Sequence, residues 1–323
     1  MIKAWLRESV VTRHLYQKLK NIQAKRNYQV STKVGHVFVD RRKRENKLCI
    51  ILAGYKSYLY EDVFGRLVRY MPEDMDVCIV SSGLYAKELE EIAEAQGWSY
   101  LSTERNCITL AQNVAILLHP CAEYIYKIDE DIFVTEYCFE RMMETFLKVE
   151  DEGEYDVGFV APLLPVNGYG HLKILKKLGL TEIYEEKFEK PKYASYSNRM
   201  IERSGAVARF FWGENGFVPS IDQLSRLFGS RPFEYSACPV RFSIGFILMR
   251  RCTWEDMGMW KVLTGNPCMG LDEEQICSYC ITKSKAIIVA ENAVSGHLSF
   301  GQQNDDMKQY YIEHREMFRC PEA

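Results

Sequence analysis

The sequence predicts an α/β fold with a mostly parallel central sheet flanked by helices, and three observations support this class. Short apolar runs rich in β-branched residues alternate with helical patterns from Leu48 to residue 164. Several helical patterns end at a glycine or proline, such as Gly97 and Pro120. The chain has 323 residues, 47% of them hydrophobic, which suffices for one large domain with an embellishment. Strand–helix alternation of this kind favours parallel strands joined by helical crossovers.

The elements are expected in the following order. The strand-like runs lie at 48–53, 77–80, 98–101, 124–128, 156–164, 242–251 and 286–290. The helical patterns lie at 61–70, 85–96, 109–118 and 139–149. A further helix is expected to start at Thr253, a favourable N-cap residue with Asp256 three positions later. No internal repeat is present.

The domain organisation has three parts. We expect an N-terminal basic helical extension (1–46), a main domain (47–310) and a C-terminal tail (311–323). Residues 167–235 break the alternation and predict an insertion or lid, because long segments of this kind are typical of binding loops or disordered inserts. Trp212 in this insertion is a candidate for stacking on an acceptor sugar, and a core anchor is the alternative.

The N-terminal extension has a helical apolar pattern that includes Trp5 and Leu6, and a basic run at 41–44 follows it. A basic amphipathic segment either lies on an anionic membrane surface or packs on the domain with its charged face in water. The first alternative would give peripheral contact with the inner face of a membrane.

Composition excludes several classes. A net charge of −3 and a pI near 6.1 argue against a dedicated nucleic-acid binder. Eleven cysteines without a preceding secretory segment predict reduced thiols and a cytoplasmic protein. The CxxC pair Cys277 and Cys280 lacks a second pair at zinc-like spacing, so it indicates two small residues one helical turn apart. No apolar run approaches the roughly 18 residues that span a bilayer.

The acidic triplet Asp129, Glu130 and Asp131 follows the central apolar run. If the strand continues, Asp129 and Asp131 point to one face and Glu130 to the other. Two carboxylates at the carboxyl end of a strand suit Mg²⁺ or Mn²⁺, which substrate phosphates often help to hold. A helix N-cap or a solvated turn is the alternative.

Two motifs in order make the resemblance specific. The run 104–113 carries Asn106, Gln112 and Asn113, and the run 123–131 ends in Asp129 and Asp131. Together they resemble the core of family-2-like glycosyltransferases of the GT-A fold, which have an Asn, a helix with a polar residue and Asn, and then a strand ending in D-x-D. The order of elements matches over about 48–299. The resemblance implies a Rossmann-like GT-A fold and a nucleotide-sugar donor.

The resemblance also implies site residues. Asp131 is the expected metal ligand, and Asp129 is expected to bind the metal through water or the ribose of the nucleotide. His297 resembles the histidine that completes the metal shell in some such enzymes, favouring Mn²⁺ over Mg²⁺. A structural histidine is the alternative.

The nucleotide is expected to contact Asn106, Asn113 and Tyr55, although Tyr55 and its neighbour Lys56 also suit an ordinary loop. Many members of the family carry an acidic turn where this chain reads Ser81-Ser82-Gly83. The identity of the donor's nucleobase therefore stays open, and a UDP-sugar is the most expected donor. The expected acceptor is a glycan or lipid-linked glycan.

The acidic run 272–274 opens the last predicted helix. The family's catalytic carboxylate aligns with Glu273, next to Asp272. Simple complementarity with the helix dipole is the alternative. A base at this position predicts an inverting transferase that activates an acceptor hydroxyl. A retaining enzyme, a non-catalytic nucleotide-sugar-binding homologue and a nucleotidyltransferase remain alternatives.

Overall fold

The computed structural model describes residues 10–193, 199–263 and 270–321. Trp5 and Leu6 of the N-terminal pattern lie outside the described residues. The strands are β1 (His36–Val39), β2 (Lys47–Leu52), β3 (Asp76–Ser82), β4 (Ser99–Thr103), β5 (Tyr124–Asp129), β6 (Ile132–Phe133), β7 (Val157–Leu163), β8 (Tyr235–Ala237), β9 (Phe246–Arg250), β10 (Ala286–Val294) and β11 (Gly296–His297).

The helices are α1 (Val10–Lys33), α2 (Tyr60–Tyr70), α3 (Lys87–Gln96), α4 (Ile108–Leu118), α5 (Cys138–Glu152), α6 (Gly170–Leu178), α7 (Thr181–Lys187), α8 (Met200–Arg203), α9 (Gly205–Phe211), α10 (Ile221–Gly229), α11 (Arg251–Asp256), α12 (Leu271–Lys283) and α13 (Asn304–Glu313). Short 3₁₀ turns lie at Ser57–Leu59, Gly301–Gln303 and Arg315–Met317. The elements confirm the predicted α/β class, with a large, mostly parallel sheet flanked by helices.

The chain divides into two compact units. Unit 1 comprises Met1–Gly54, Asp76–Ile125 and Arg250–Ile276. Its strands lie in the order β1-β4-β3-β2, with β2, β3 and β4 parallel and β1 antiparallel to β4. Every residue of β3 is buried, as expected for a strand with parallel neighbours on both sides. The helices α3 and α4 pack on these strands, and α1 packs on α4.

The described part of the N-terminal extension, from α1 onwards, is therefore packed in unit 1. The side chain of Asn27, which is 1% exposed, donates from Nδ2 to the carbonyl of Gly258 at 2.9 Å. After α1 the chain enters β1, which pairs with β4 from His36 to Val39. These contacts correspond to the packed alternative for this segment. In the described part of the chain, no helix is long and apolar enough to cross a membrane.

Unit 2 comprises Tyr55–Met75, Tyr126–Met249 and Cys277–Ala323. Its strands follow the order β5-β9-β7-β10-β8, with β7 and β10 parallel and the β7–β9 and β8–β10 pairs antiparallel. A separate two-stranded sheet joins β6 to β11, with Ile132 opposite His297. Helix α5 packs on β7 and β10.

The insertion and the tail are ordered parts of unit 2 where the structure describes them. The described residues of 167–235 form α6 to α10 and β8, with a buried aromatic cluster made by Tyr184, Phe210 and Phe211. Residues after 310 continue α13 and bury Tyr311 and Phe318. The tail thus contributes to the core of unit 2, because its aromatic side chains provide apolar surface that is stabilising when buried.

Candidate functional site

The acidic triplet lies where β5 ends, and its outer carboxylates each pair with a lysine. Strand β5 ends at Asp129, whose Oδ1 lies 2.6 Å from the ammonium of Lys127. The Oδ2 atom of Asp131 lies 2.5 Å from Nζ of Lys56. Lys127 also donates to the carbonyl of Ile244 at 2.9 Å. The strand end therefore carries two carboxylate–ammonium pairs.

Glu130 departs from the alternation that an extended chain would impose. Residues 130 and 131 form a turn, so the faces no longer alternate beyond Asp129. The carboxylate of Glu130 accepts the backbone N–H groups of Tyr55 and Lys56, both at 3.0 Å to Oε2. Glu130 and Asp131 thus contact the same loop, one through its backbone and the other through the Lys56 side chain.

His297 reaches Asp131 through the β6–β11 pair. The backbone N–H of Leu298 donates to the carbonyl of Asp131 at 3.0 Å, and Nε2 of His297 lies 3.8 Å from Oδ2 of Asp131. The other ring nitrogen, Nδ1, lies 3.0 Å from the carbonyl of Val166. A carbonyl can only accept, so Nδ1 carries the proton, and in the neutral ring the lone pair of Nε2 is directed towards Asp131.

Burial and nearby charges shift the pKa values of both Asp131 and His297. Burial lowers the pKa of His297, although Asp131 opposes the shift, so the ring is neutral near pH 7. Burial alone would raise the pKa of Asp131, but the combined effects of Lys56, His297 and Lys127 keep that pKa below its usual value. An ionised carboxylate therefore faces an unprotonated imidazole nitrogen. Two such electron-rich atoms fit a cation held between them.

The donor set fits such a metal ion with two protein ligands. Asp131 and His297 converge, whereas Asp129 pairs with Lys127. Within the described ranges, no three or more His, Cys, Asp or Glu side chains are grouped to hold a metal. Mg²⁺ and Mn²⁺ sites completed by substrate phosphates and water need no more than one or two protein ligands.

Trp212 anchors the strand that carries His297. Its ring is 4% exposed, and Nε1 donates to the carbonyls of His297 and Leu298 at 3.2 and 3.3 Å. The ring of Phe318 lies 4.4 Å from it between centroids. A Cβ on Gly296 would lie 2.4 Å from Cη2 of Trp212, so only glycine fits there. Trp212 is therefore the core anchor, and it is too buried to stack on an acceptor sugar.

In unit 1, the two amides of α4 hold other segments of the chain. Asn113 is fully buried; its Oδ1 accepts from Nε1 of Trp254 and from the backbone N–H of Trp260, and its Nδ2 donates to the carbonyl of Trp260. These bonds use the carbonyl oxygen twice and one amide hydrogen. Asn113 therefore has a structural role in unit 1, and its expected contact with the nucleotide stays a prediction.

Gln112 positions the acidic start of α12. Its Nε2 donates to Oδ2 of Asp272 at 2.9 Å, and both side chains are buried. The other oxygen of Asp272 accepts the backbone N–H of Glu273 at 3.0 Å. Glu273 itself is partly exposed, and Glu274 is exposed. Of the neighbouring carboxylates, Asp272 is buried with both oxygens hydrogen-bonded, and Glu273 is partly exposed.

Asn106 and Tyr55 are the most accessible of the expected nucleotide contacts. Asn106 is exposed and lies against Gly83, where a Cβ would come within 2.6 Å of the Asn106 Cα. Gly83 has a φ of +78°, a conformation that favours glycine. Tyr55 is 59% exposed, although its backbone is fixed by Glu130.

The sequence prediction missed the roles of Lys127 and Glu130. A signal for Lys127 was present, because a lysine inside an apolar strand, two positions before Asp129, lies on the same face as that carboxylate. No local signal identified the Glu130 contact, since its partners lie 74 and 75 residues away along the chain.

Comparisons with known proteins give remote structural similarity only. No family model and no curated protein matches the chain. A mannosyltransferase from Pyrobaculum calidifontis, solved in complex with GDP-mannose and Mn²⁺, matches with TM-score 0.47 and 14% identity over 94% of this chain and 72% of that one.

Two further solved structures match less well. TarS from S. aureus has TM-score 0.28 and 15% identity over 36% of this chain and 21% of its own. A mycobacterial protein has TM-score 0.41 and 10% identity over 93% of this chain and 80% of its own. Similarities this remote do not assign an activity.

Proposed function

We propose that the chain is a glycosyltransferase that moves a sugar from a nucleotide-sugar donor to a hydroxyl group of a glycan or lipid-linked glycan. The observation that carries the proposal is the Asp131 carboxylate facing the Nε2 lone pair of His297, with Lys56 alongside, just past the end of β5. Such a group suits the diphosphate of a donor together with a divalent cation. The order of the two motifs that resemble family-2-like glycosyltransferases supports the same assignment.

Asp131 and His297 would hold Mn²⁺ or Mg²⁺. The imidazole nitrogen favours Mn²⁺, and the Val166 carbonyl fixes the ring in the tautomer that leaves Nε2 available. When bound, the cation supplies positive charge that offsets the charge developing on the leaving nucleoside diphosphate.

The donor's diphosphate would also meet protein cations. Lys56 and Lys127 provide two ammonium groups beside the triplet, and each pairs with a carboxylate. The exposed ring of Tyr55 provides a face on which a base can stack. Asn106 remains a proposed nucleotide contact because it is exposed. The Ser81-Ser82-Gly83 segment at the end of β3 carries no carboxylate, so GDP and UDP both stay open as the nucleotide.

Glu273 is the proposed general base of an inverting reaction. Both Asp272 oxygens are already hydrogen-bonded, to Gln112 and to the backbone of Glu273. Asp272 therefore suits a positioning role, and the partly exposed Glu273 suits proton acceptance from an acceptor hydroxyl. A positioned base typically contributes about 10²–10⁴-fold to the rate.

Asp131→Asn tests the proposal without changing the side chain's size. The wild-type protein should bind at least one member of a panel of GDP- and UDP-sugars, more tightly with Mn²⁺ than with a chelator. Asp131→Asn should lose this Mn²⁺ dependence, because the amide is a poor ligand for the cation. The control Asp151→Asn, on the exposed side of α5, should behave as wild type. The proposal fails if no nucleotide-sugar binds, or if Asp131→Asn keeps the wild-type Mn²⁺ dependence.

A further inference from the structure

We propose that Lys56 is a displaceable internal cation that makes metal and nucleoside diphosphate bind to this protein together rather than separately. This inference rests on the proposed function, since it assumes that Asp131 holds the metal and that the donor carries a diphosphate. In this proposal Lys56 is a positioning residue that acts when the metal and the diphosphate bind.

The position of the Lys56 ammonium supports the inference. Nζ lies 2.5 Å from Oδ2 of Asp131, the same oxygen that faces Nε2 of His297 at 3.8 Å. The Asp131 side chain is 7% exposed and the Lys56 side chain 23% exposed. The ammonium therefore neutralises the atom through which Asp131 would bind a metal.

The backbone under Lys56 is held independently of this ion pair. Glu130 accepts the N–H groups of Tyr55 and Lys56, each at 3.0 Å to Oε2. The ammonium can leave Asp131 by rotation of its own side chain while the loop remains in place. The four-carbon side chain of lysine has enough rotatable bonds to move the ammonium away from Asp131 while it stays close to the site.

Binding of the metal and binding of the diphosphate should be coupled, because leaving the Lys56 ammonium unpaired is unfavourable. A metal that binds alone must displace Lys56 from Asp131 and leave a largely buried charge without its partner, which is unfavourable. A diphosphate that binds with the metal gives Lys56 a new anionic partner. Each ligand should therefore strengthen binding of the other by the same factor, and such couplings are typically about 5–150-fold.

Mn²⁺ titrations followed by the electron paramagnetic resonance of free Mn²⁺ test the inference without an activity assay. In wild type, GDP or UDP should raise Mn²⁺ affinity by a factor within that range. Lys56→Met should bind Mn²⁺ alone more tightly than wild type, by about 5-fold or more, with most of the enhancement by nucleotide lost. Lys308→Met is the matched control, because Lys308 lies over the ring of Tyr58 at 4.9 Å and its ammonium is exposed; it should behave as wild type.

Asp131→Asn separates the two ways of failing. If Asp131→Asn abolishes Mn²⁺ binding but Lys56→Met binds Mn²⁺ alone no more tightly than wild type, the role of Lys56 is wrong and the metal assignment stands. If Asp131→Asn binds Mn²⁺ as wild type does, the metal assignment itself is wrong. Absence of Mn²⁺ binding in all four proteins would overturn both.

Discussion

Removing the carboxylate of Asp222 should destabilise unit 2 strongly. Its partner, Arg66, is fully buried on α2, and the two groups form a bidentate pair at 2.8 and 2.7 Å. The remaining guanidinium hydrogens donate to the carbonyls of Val134, Phe318 and Arg319 at 2.7–3.1 Å. All five N–H groups of Arg66 therefore have acceptors, and the pair ties α2 to α10 and the C-terminal segment.

The magnitude follows from what Asp222→Ala leaves behind. The variant keeps a buried guanidinium without its counter-charge, and breaking a buried pair in this way costs about 3–5 kcal/mol. At about 2 °C per kcal/mol for a chain of this size, the midpoint of thermal unfolding should fall by about 6–10 °C. The effect should be visible by circular dichroism or calorimetry.

Glu144→Ala is the matched control, because Glu144 forms an exposed i,i+4 pair with Lys148 on α5. Pairs of this kind contribute about 0.3–0.5 kcal/mol, so the midpoint should move by about 1 °C or less. A double variant, Arg66→Met with Asp222→Leu, should recover only part of the loss, because three carbonyls lose their donor. If the midpoint of thermal unfolding of Asp222→Ala lies within 2 °C of that of Glu144→Ala, the Arg66–Asp222 pair is not the buried ion pair described above.

Two further predictions concern carboxylates. Glu273→Gln should lower the rate of sugar transfer by about 10²–10⁴-fold with donor affinity nearly unchanged. Glu274→Gln should change the rate little, because that side chain points about 100° away on α12. Steady-state kinetics of sugar transfer measure both effects, and intact transfer in both variants would show that Glu273 is not the base. Burial alone would raise the pKa of Glu291, but ion pairs with Lys173 and Lys177 lower it to about 2. Its contribution to the free energy of unfolding, roughly 2 kcal/mol after allowance for solvent screening, should be fully present above about pH 4.5 and disappear as the pH falls towards 2. Denaturant unfolding of wild type and Glu291→Gln at pH 7 and pH 3 measures it, and an equal gap between the two proteins at both pH values would contradict the assignment.

The α/β class and most element positions can be read from local sequence patterns. Alternating periods of two and 3.6 residues are local properties, so strands such as β2, β3 and β5 lie within a few residues of where the pattern put them. The same pattern placed the acidic triplet just past a strand. The pattern predicted too short a C-terminal strand. The expected run was 286–290, whereas β10 continues through the buried polar residues Glu291 and Asn292 to Val294.

Which side chains meet depends on the packing of distant segments. Lys56 and Asp131 are 75 residues apart in sequence, and Gln112 and Asp272 are 160 apart. No local pattern encodes such contacts, because they depend on how packed elements bring distant turns together. The same reason explains Trp212: an aromatic run in an insertion suits a sugar or a core equally, and the packing on Phe318 and His297 made it part of the core.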